Sequence, residues 1–542
     1  MATPGKSRAG GRNRSNTNGS YHTAVARDSG TRYSASMPGK VWLVGAGPGD
    51  PGLITVRGQA ALAAAEVVLH DALSHPDLLT LCPQAEIRDV GKRYGQPNPD
   101  QQWICAQLIE LARAGRRVVR LKGGDPFLFA RGAEEALALH AAGIPFEVVP
   151  GISSPVAASA YAGFSLTHRG LSSSVTFITG SDREAVGWSP EAWHRLATSA
   201  DTICVLMGMR RLEQITDALV AGGRSAATPA AVVYWGARPE QRVVEAPLGE
   251  IAATTRAAGL TNPAILFVGE VVKLRGSARW YDNQPLFGKR VLVPRPAHQA
   301  EQTAHAIRAR AAEPVVHPVV EIRPPPDPAA LTRVVTELAC YDWVVFTSAN
   351  GVTRTWDEIE RQGRDARAFG TARVAAIGPK TAEALADRGL RADLVAREYV
   401  AESLRDELLA RGVPRQVALL RAFEARNVLP DALRTAGTEV TVVAAYQTVP
   451  VIPTGPGGLA ERLTSGQVDV VLLTSGAIAH TFFEALGKDA IHLLQGVALA
   501  SIGPITSQAI RRFGVEPTVE AETYTVEGLL DALEAHYCRV SM

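Results

Sequence analysis

The sequence has 542 residues, and its 56 Lys and Arg against 54 Asp and Glu leave a formal charge of only +2, which excludes the global basic excess of a nucleic-acid binder. A hydrophobic fraction of 46% is that of an ordinary globular chain, and no run reaches the ~18 consecutive apolar residues of a membrane span. Five scattered cysteines without a CxxC pair support neither a disulfide framework nor a zinc site and fit a reducing, cytoplasmic setting.

Residues 1–39 are rich in Gly, Ser, Arg, Asn and Thr, with Asp28 the only acid, and read as a disordered tail. Order is expected from Val41-Trp-Leu-Val-Gly45, a buried strand that runs into the loop Gly45-Ala-Gly-Pro-Gly-Asp-Pro-Gly52. Thr55 is a candidate N-cap for an Ala/Leu-rich helix to about Ala65. Val67-Val-Leu69 ends at His70-Asp71, and Val118-Val-Arg-Leu121 ends in Lys122-Gly-Gly-Asp-Pro126. Further strands are expected at 146–149, 175–179, 202–207, 231–235 and 265–268, which gives the α/β alternation.

The polar, irregular stretch 276–286 is expected to link two units, 40–275 and 287–537. A fresh strand at 290–294 restarts the rhythm, followed by strands near 343–346, 374–377, 417–420, 470–473 and 497–502. Phe346-Thr-Ser348 and Leu473-Thr-Ser475 are alike, as are Ile377-Gly-Pro-Lys-Thr381 and Ile502-Gly-Pro-Ile-Thr506. This repetition predicts two related lobes facing one cleft.

Gly45-x-Gly47 after a strand invites a dinucleotide reading, with Asp71 as ribose binder. The fingerprint is incomplete, because Asp50 stands where a third glycine belongs and Pro48 and Pro51 stiffen the loop. A plain strand–helix turn is the other alternative for a single such loop. No carboxylate or second histidine stands at ligand spacing from His168, so no metal is expected.

Taken together, Val44-Gly-Ala-Gly-Pro-Gly-Asp-Pro-Gly-Leu-Ile-Thr55, Gly91-Lys-Arg93, Val119-Arg-Leu-Lys-Gly-Gly-Asp-Pro-Phe127, Arg131-Gly, Val149-Pro-Gly-Ile-Ser153, Leu166-Thr-His-Arg169 and Pro263-Ala-Ile-Leu-Phe-Val-Gly269 resemble the tetrapyrrole methylase family. Within it, they resemble the uroporphyrinogen-III C-methyltransferases. The resemblance implies a two-lobed α/β methylase fold with S-adenosyl-L-methionine bound between the lobes, and a tetrapyrrole as acceptor. It places donor contacts at Pro48, Gly123, Gly124, Asp125, Leu128, Ser153, Ser154, Met207 and Gly236 or Ala237. It makes Asp71 the proton acceptor and Lys92 the donor; for Asp71 a strand-end turn role is the alternative. Arg93, Arg131, His168 and Arg169 would receive the carboxylates of the substrate. The sequence departs from the family pattern at His70, Ala130 and Ser153-Ser154, which puts the details of substrate fit in doubt. A homodimer through this half is compatible with the reading; no nucleic-acid or membrane partner is expected.

The second half resembles the uroporphyrinogen-III synthase family through Val291-Leu-Val-Pro-Arg-Pro296, Tyr341-Asp-Trp-Val-Val-Phe-Thr-Ser348, Ile377-Gly-Pro-Lys-Thr-Ala382, Ala445-Tyr446-Gln-Thr448, Leu473-Thr-Ser475 and Ile502-Gly-Pro504. The resemblance implies a two-lobed α/β fold, with residues 290–321 and 451–534 in one lobe. It implies ring closure of hydroxymethylbilane, with Tyr446 assisting the departing hydroxyl; an ordinary strand-end tyrosine is the alternative for Tyr446. Ser348, Thr381, Ser475 and Thr506 are the candidate substrate hydroxyls. A non-catalytic ligand-binding module is the alternative for this half.

Overall fold

Short apolar runs form strands along the chain, and in the computed structural model those of the described residues assemble into four sheets. The structure describes residues 39–91, 99–180, 189–398, 401–451 and 458–540. Residues 1–38 of the expected tail, together with Lys92 and Arg93, lie outside them.

The first sheet is wholly parallel, in the order Glu86–Asp89, Val67–His70, Val118–Lys122, Val41–Gly45, Phe146–Val149. Parallel strands are covered on both faces, which is why Val41, Leu43, Val67, Leu69 and Val118 are all fully buried. Thr55 does cap its helix, Val56–Ala63, by accepting from Gly58 N at 3.0 Å. The loops leaving Gly45, His70, Lys122 and Val149 all emerge at the carboxyl edge of this sheet, where open α/β sheets bind ligands. The second sheet is mixed, in the order Val175–Thr179, Thr202–Leu206, Ala264–Val268, Pro229–Tyr234, Arg242–Pro247. Its edge strand Arg242–Pro247, Arg-Val-Val-Glu-Ala-Pro, is absent from the sequence-based expectation, because it is half-exposed to exposed along its length and has neither a continuous apolar run nor a regular alternation.

In the second half one sheet is wholly parallel, in the order Glu313–Val316, Arg290–Val293, Val470–Leu473, Ala498–Ser501, Val519–Glu520. The other runs Val320–Arg323, Glu439–Pro450, Gln416–Ala422, Trp343–Phe346, Arg373–Ala376, Leu394–Val395, and only its first pair is antiparallel. Two details differ from the sequence reading. The chain leaves the first of these lobes before Val320 rather than after Glu321, since Glu321 already pairs with Val449. Tyr446 does not end a strand: Glu439–Pro450 continues for twelve residues because its second part is held by Val320–Arg323. The repeat is visible in the packing. Ala349–Arg361 lies against Pro379–Ala386 as Gly476–Leu486 lies against Pro504–Arg511.

The stretch 276–286 is polar in sequence but fixed in place. Arg275, 6% exposed, donates to Asp282 Oδ2 at 2.5 Å, to Glu245 Oε1 at 2.9 Å and to the Ala162 carbonyl. Tyr281 stacks edge-on against Tyr161 at 4.7 Å, and Leu286 is buried with Val291 and Leu472 in the core of the second half. Arg308 of the second half forms an ion pair with Asp77 of the first. Removing one partner of a buried pair strands the other charge. Asp282→Ala is therefore expected to destabilise by about 3–5 kcal/mol, read as a lowered denaturant midpoint. An unchanged midpoint would mean that Glu245 alone satisfies Arg275. Among the described residues no helix is long and apolar enough to cross a membrane.

Candidate active site

Three glycine loops from the carboxyl edge of the first sheet close on one another. Gly47 and Gly124 exchange backbone hydrogen bonds at 2.8 and 3.2 Å, and both occupy left-handed conformations, with φ of 76° and 68°. A Cβ at Gly151 would lie 2.4 Å from the Gly124 carbonyl oxygen, so only glycine permits this approach. Asp125 ties the loops together, its carboxylate accepting from Phe127 N at 2.8 Å and from Gly151 N at 3.1 Å. Asp50 is engaged as well: it accepts from Gly52 N at 2.7 Å and from the Tyr161 hydroxyl at 2.7 Å. Thus the residue that breaks the dinucleotide fingerprint has a structural role of its own.

Between these loops and the second sheet lies a cavity of about 550 Å³, within the usual range for small-molecule sites. Gly47, Pro48, Gly123, Gly124 and Ser154 line it from the first lobe, and Met207, Trp235 and Gly236 from the second. Phe129, Arg131, Met207 and Trp235 all line it with positive φ, between 46° and 61°. Non-glycine residues rarely adopt such angles, and their concentration around one cavity makes it the candidate functional site.

The base of the cavity is charged. Asp71 follows Val67–His70 and accepts a short hydrogen bond from Arg120, whose guanidinium also reaches Glu135 Oε1 at 3.2 Å. Lys122 Nζ donates to the same Glu135 oxygen at 2.9 Å, as does Gln101 Nε2 at 3.0 Å. Burial and the nearby Arg120 push the Lys122 ammonium below its ordinary value. Burial opposes the charge on Arg120, but Asp71 and Glu135 outweigh it and hold that pKa up.

Of the expected donor residues, Pro48, Gly123, Gly124, Leu128, Ser154, Met207 and Gly236 line the cavity. Asp125, Ser153 and Ala237 stand behind it: Asp125 as the loop clasp, Ser153 as N-cap of Ser154–Tyr161, and Ala237 buried with its amide on Gln241 Oε1. Asp71 lines the cavity with its side chain 29% exposed. Arg131 lines it too, gripping Glu134 through two 2.7 Å bonds. His168 and Arg169 sit on an exposed turn closed by the His168–Ser172 bridge, outside the cavity lining. Sequence reasoning missed Arg120, Lys122, Gln101 and Trp235. The first two carried a signal, since charges at alternate positions of an otherwise apolar central strand demand partners.

In the second half Tyr446 is 6% exposed, and its hydroxyl lies 3.1 Å from Ser348 Oγ. Ser348 caps Ala349–Arg361 by accepting from Gly351 N at 3.0 Å, and Ser475 caps Gly476–Leu486 in the same way. Thr381 and Thr506 are less accessible than their loop motifs imply. They sit inside the first turns of Pro379–Ala386 and Pro504–Arg511, 4% and 3% exposed. Only Ser348 and Tyr446 of this set are hydrogen-bonded to each other among the described residues. Gln299 Nε2 donates to Asn350 Oδ1 at 2.7 Å and bridges the two lobes. No group of three or more His, Cys, Asp or Glu suited to a metal ion occurs among the described residues.

Two family models match the chain: tetrapyrrole (corrin/porphyrin) methylases over residues 40–252, and uroporphyrinogen-III synthase HemD over residues 301–531. A porphyrin biosynthesis protein HemD from Ruminiclostridium josui is 34% identical over 497 residues, spanning 91% of this chain and 97% of that protein. A uroporphyrinogen-III C-methyltransferase from a Sinorhizobium species is 49% identical over 243 residues, covering 45% of this chain and 87% of its own length. A crystal structure of uroporphyrin-III-C-methyltransferase from Thermus thermophilus covers 45% of this chain and 98% of its own, at 42% identity and a TM-score of 0.38.

Proposed function

The chain belongs to the tetrapyrrole methylase family through its first half and to the uroporphyrinogen-III synthase family through its second, and on that premise we propose a bifunctional enzyme of tetrapyrrole biosynthesis. Its second half closes hydroxymethylbilane to uroporphyrinogen III, and its first half methylates that product to precorrin-2 with S-adenosyl-L-methionine as donor. The observation that carries the methyltransferase reading is the cavity walled by three mutually packed glycine loops and ringed by positive-φ residues. Gly47 and Gly124 hold these loops in left-handed conformations that a side chain would strain, and Gly47, Gly123 and Gly124 all line the cavity proposed for the donor. When bound there, S-adenosyl-L-methionine supplies an electrophilic methyl group.

The chain's own residues do the rest. Pro48, Gly123, Gly124, Leu128, Ser154, Met207 and Gly236 hold the donor, with Asp125, Ser153 and Ala237 shaping the loops around it. Alignment of donor and acceptor carbon between the two lobes supplies much of the rate. Addition of a methyl group to a pyrrole carbon leaves a proton to be removed, and Asp71, which lines the cavity, accepts it in this reading. Lys92 is the donor of this scheme and Arg93 a carboxylate partner; both lie outside the described residues. Arg131, which lines the cavity, receives a substrate carboxylate, with His168 and Arg169, on the exposed turn outside the lining, as further carboxylate partners. In the second half, Tyr446 and Ser348 attend the leaving hydroxyl, and Ser475, Thr381 and Thr506 shape the anion-binding helix ends. We take 40–275 and 287–537 as the two units, with 276–286 as their junction. The reading carries with it a cytoplasmic setting and a homodimer through the methyltransferase half.

The deciding experiment incubates the full chain with hydroxymethylbilane and S-adenosyl-L-methionine and follows products by mass and by isomer. Dimethylated type III product is expected. No methylation of supplied uroporphyrinogen III would sink the first assignment. Methylation of supplied uroporphyrinogen III, but only type I product from hydroxymethylbilane, would make the second half a binding module.

A further inference from the structure

Val118–Lys122 is the middle strand of a parallel sheet, a place where valine or leucine serves packing best. It nevertheless carries Arg120 and Lys122, 2% and 1% exposed, two residues apart and so on one face. Buried cations are retained only where they are paired, and replacing such a cluster with apolar residues often costs nothing in stability. Stability alone therefore does not account for them.

The geometry gives them a purpose. Glu135, fully buried on Gly132–Ala141, gathers Arg120, Lys122 and Gln101 on its single oxygen Oε1. Arg120 is fixed further by the carbonyls of Leu69 at 3.3 Å and Leu121 at 3.2 Å. Its remaining nitrogen is bonded to the Asp71 carboxylate at the cavity wall. Asp71 is the one member of the cluster with an appreciably exposed side chain, 29% against 3% or less for Arg120, Lys122 and Glu135. The cluster is thus a rigid, charge-balanced mount with one end open to the cavity. We propose that Arg120 is a positioning residue that holds the Asp71 carboxylate in the orientation needed to take the substrate proton, with Glu135 and Lys122 fixing Arg120 in turn. This rests on the assignment of Asp71 as proton acceptor.

The test measures single-turnover methylation of uroporphyrinogen III by the full chain at saturating donor, with S-adenosylhomocysteine affinity measured in parallel. A displacement of about 1 Å in a catalytic group can cost up to ~10²-fold, so Arg120→Gln is expected to slow transfer about 10–100-fold. Donor affinity should stay within about twofold, since Arg120 touches none of the three glycine loops' clasping bonds. Arg120→Lys, which keeps a cation with a shorter reach, should recover part of the rate. The decisive arm is the double variant. If Arg120 works through Asp71, Asp71→Asn/Arg120→Gln is no slower than Asp71→Asn alone, whereas a merely structural role gives additive losses. Should Arg120→Gln not fold, Glu135→Gln keeps the side-chain volume while loosening Arg120. It should show a smaller loss that is likewise silent in the Asp71→Asn background. Additive losses, or an unchanged rate in folded Arg120→Gln or Glu135→Gln, overturn the proposal. A wild-type rate in Asp71→Asn alone overturns the acceptor assignment instead, so the two failures are separable.

Discussion

Asp71→Asn is expected to lower methyl transfer by about 10²–10⁴-fold, the usual cost of losing a general base, while leaving donor affinity nearly intact. Asparagine keeps the shape of the side chain and can still accept from Arg120, so the strand end at His70 and the mount beneath it survive. What it lacks is the capacity to take a proton from the methylated ring. Asp125→Ala should fail in the opposite way. Both oxygens of Asp125 are spent on backbone amides, Phe127 N and Gly151 N, and these bonds hold the loop after Lys122 against the loop after Val149. Their loss loosens the walls of the donor cavity, so affinity for S-adenosylhomocysteine should fall first. Calorimetry with that ligand, together with single-turnover rates, separates the two. Unchanged turnover in Asp71→Asn would return Asp71 to the role of a strand-end turn residue, in which its carbonyl accepts from Ser74 N. Unchanged donor binding in Asp125→Ala would mean that the glycine contacts hold the loops without it.

The frame of this molecule was legible because its strands are short, apolar and punctuated by glycine. Val41–Gly45, Trp343–Phe346 and Val470–Leu473 are buried along their length or nearly so, and each ends in a loop whose residues have little conformational choice. The glycine loops could be read for the same reason, since Gly47, Gly124 and Gly151 are required by positive φ or by backbone contact rather than by taste in composition. Periodicity is silent on long-range partners, and there the reading fell short. It does not say that Glu135 meets Arg120 and Lys122, because that contact joins a helix to a strand through the interior. It does not say that Val320–Arg323 extends the strand of Tyr446, because the apolar and charged alternation of Val-Glu-Ile-Arg is only four residues long and does not name its partner strand. Thr381 and Thr506 looked like loop hydroxyls because Gly-Pro precedes each. Proline at the first helical position in fact starts a helix there and draws both threonines into its buried first turn.

Tyr446→Phe is expected to slow ring closure by about 10²-fold and to shift product toward the uninverted type I isomer, with methylation of supplied uroporphyrinogen III unchanged. The tyrosine body is buried among Leu331, Phe346, Trp356 and Val443, so phenylalanine fills the same space and the lobe should fold as before. Its hydroxyl stands apart from that apolar packing. It meets Ser348 Oγ at 3.1 Å, and Ser348 Oγ already accepts from Gly351 N, so the phenol and the capped helix end form one polar spot beside the apolar packing. Such a spot can donate to a departing hydroxyl without introducing a charge. Hydroxymethylbilane also closes unaided to the type I isomer, and a slowed enzyme competes with that background reaction. The isomer ratio therefore reports on the enzyme-catalysed step separately from any loss of protein. Ser348→Ala serves as the companion variant. It removes the hydroxyl partner together with a helix cap worth about 1 kcal/mol, so it should lower both stability and type III yield. Tyr446→Phe should lower the yield alone. A wild-type isomer ratio and rate in Tyr446→Phe would make Tyr446 a packing residue and leave the capped helix ends at Ser348 and Ser475 as the environment for ring closure.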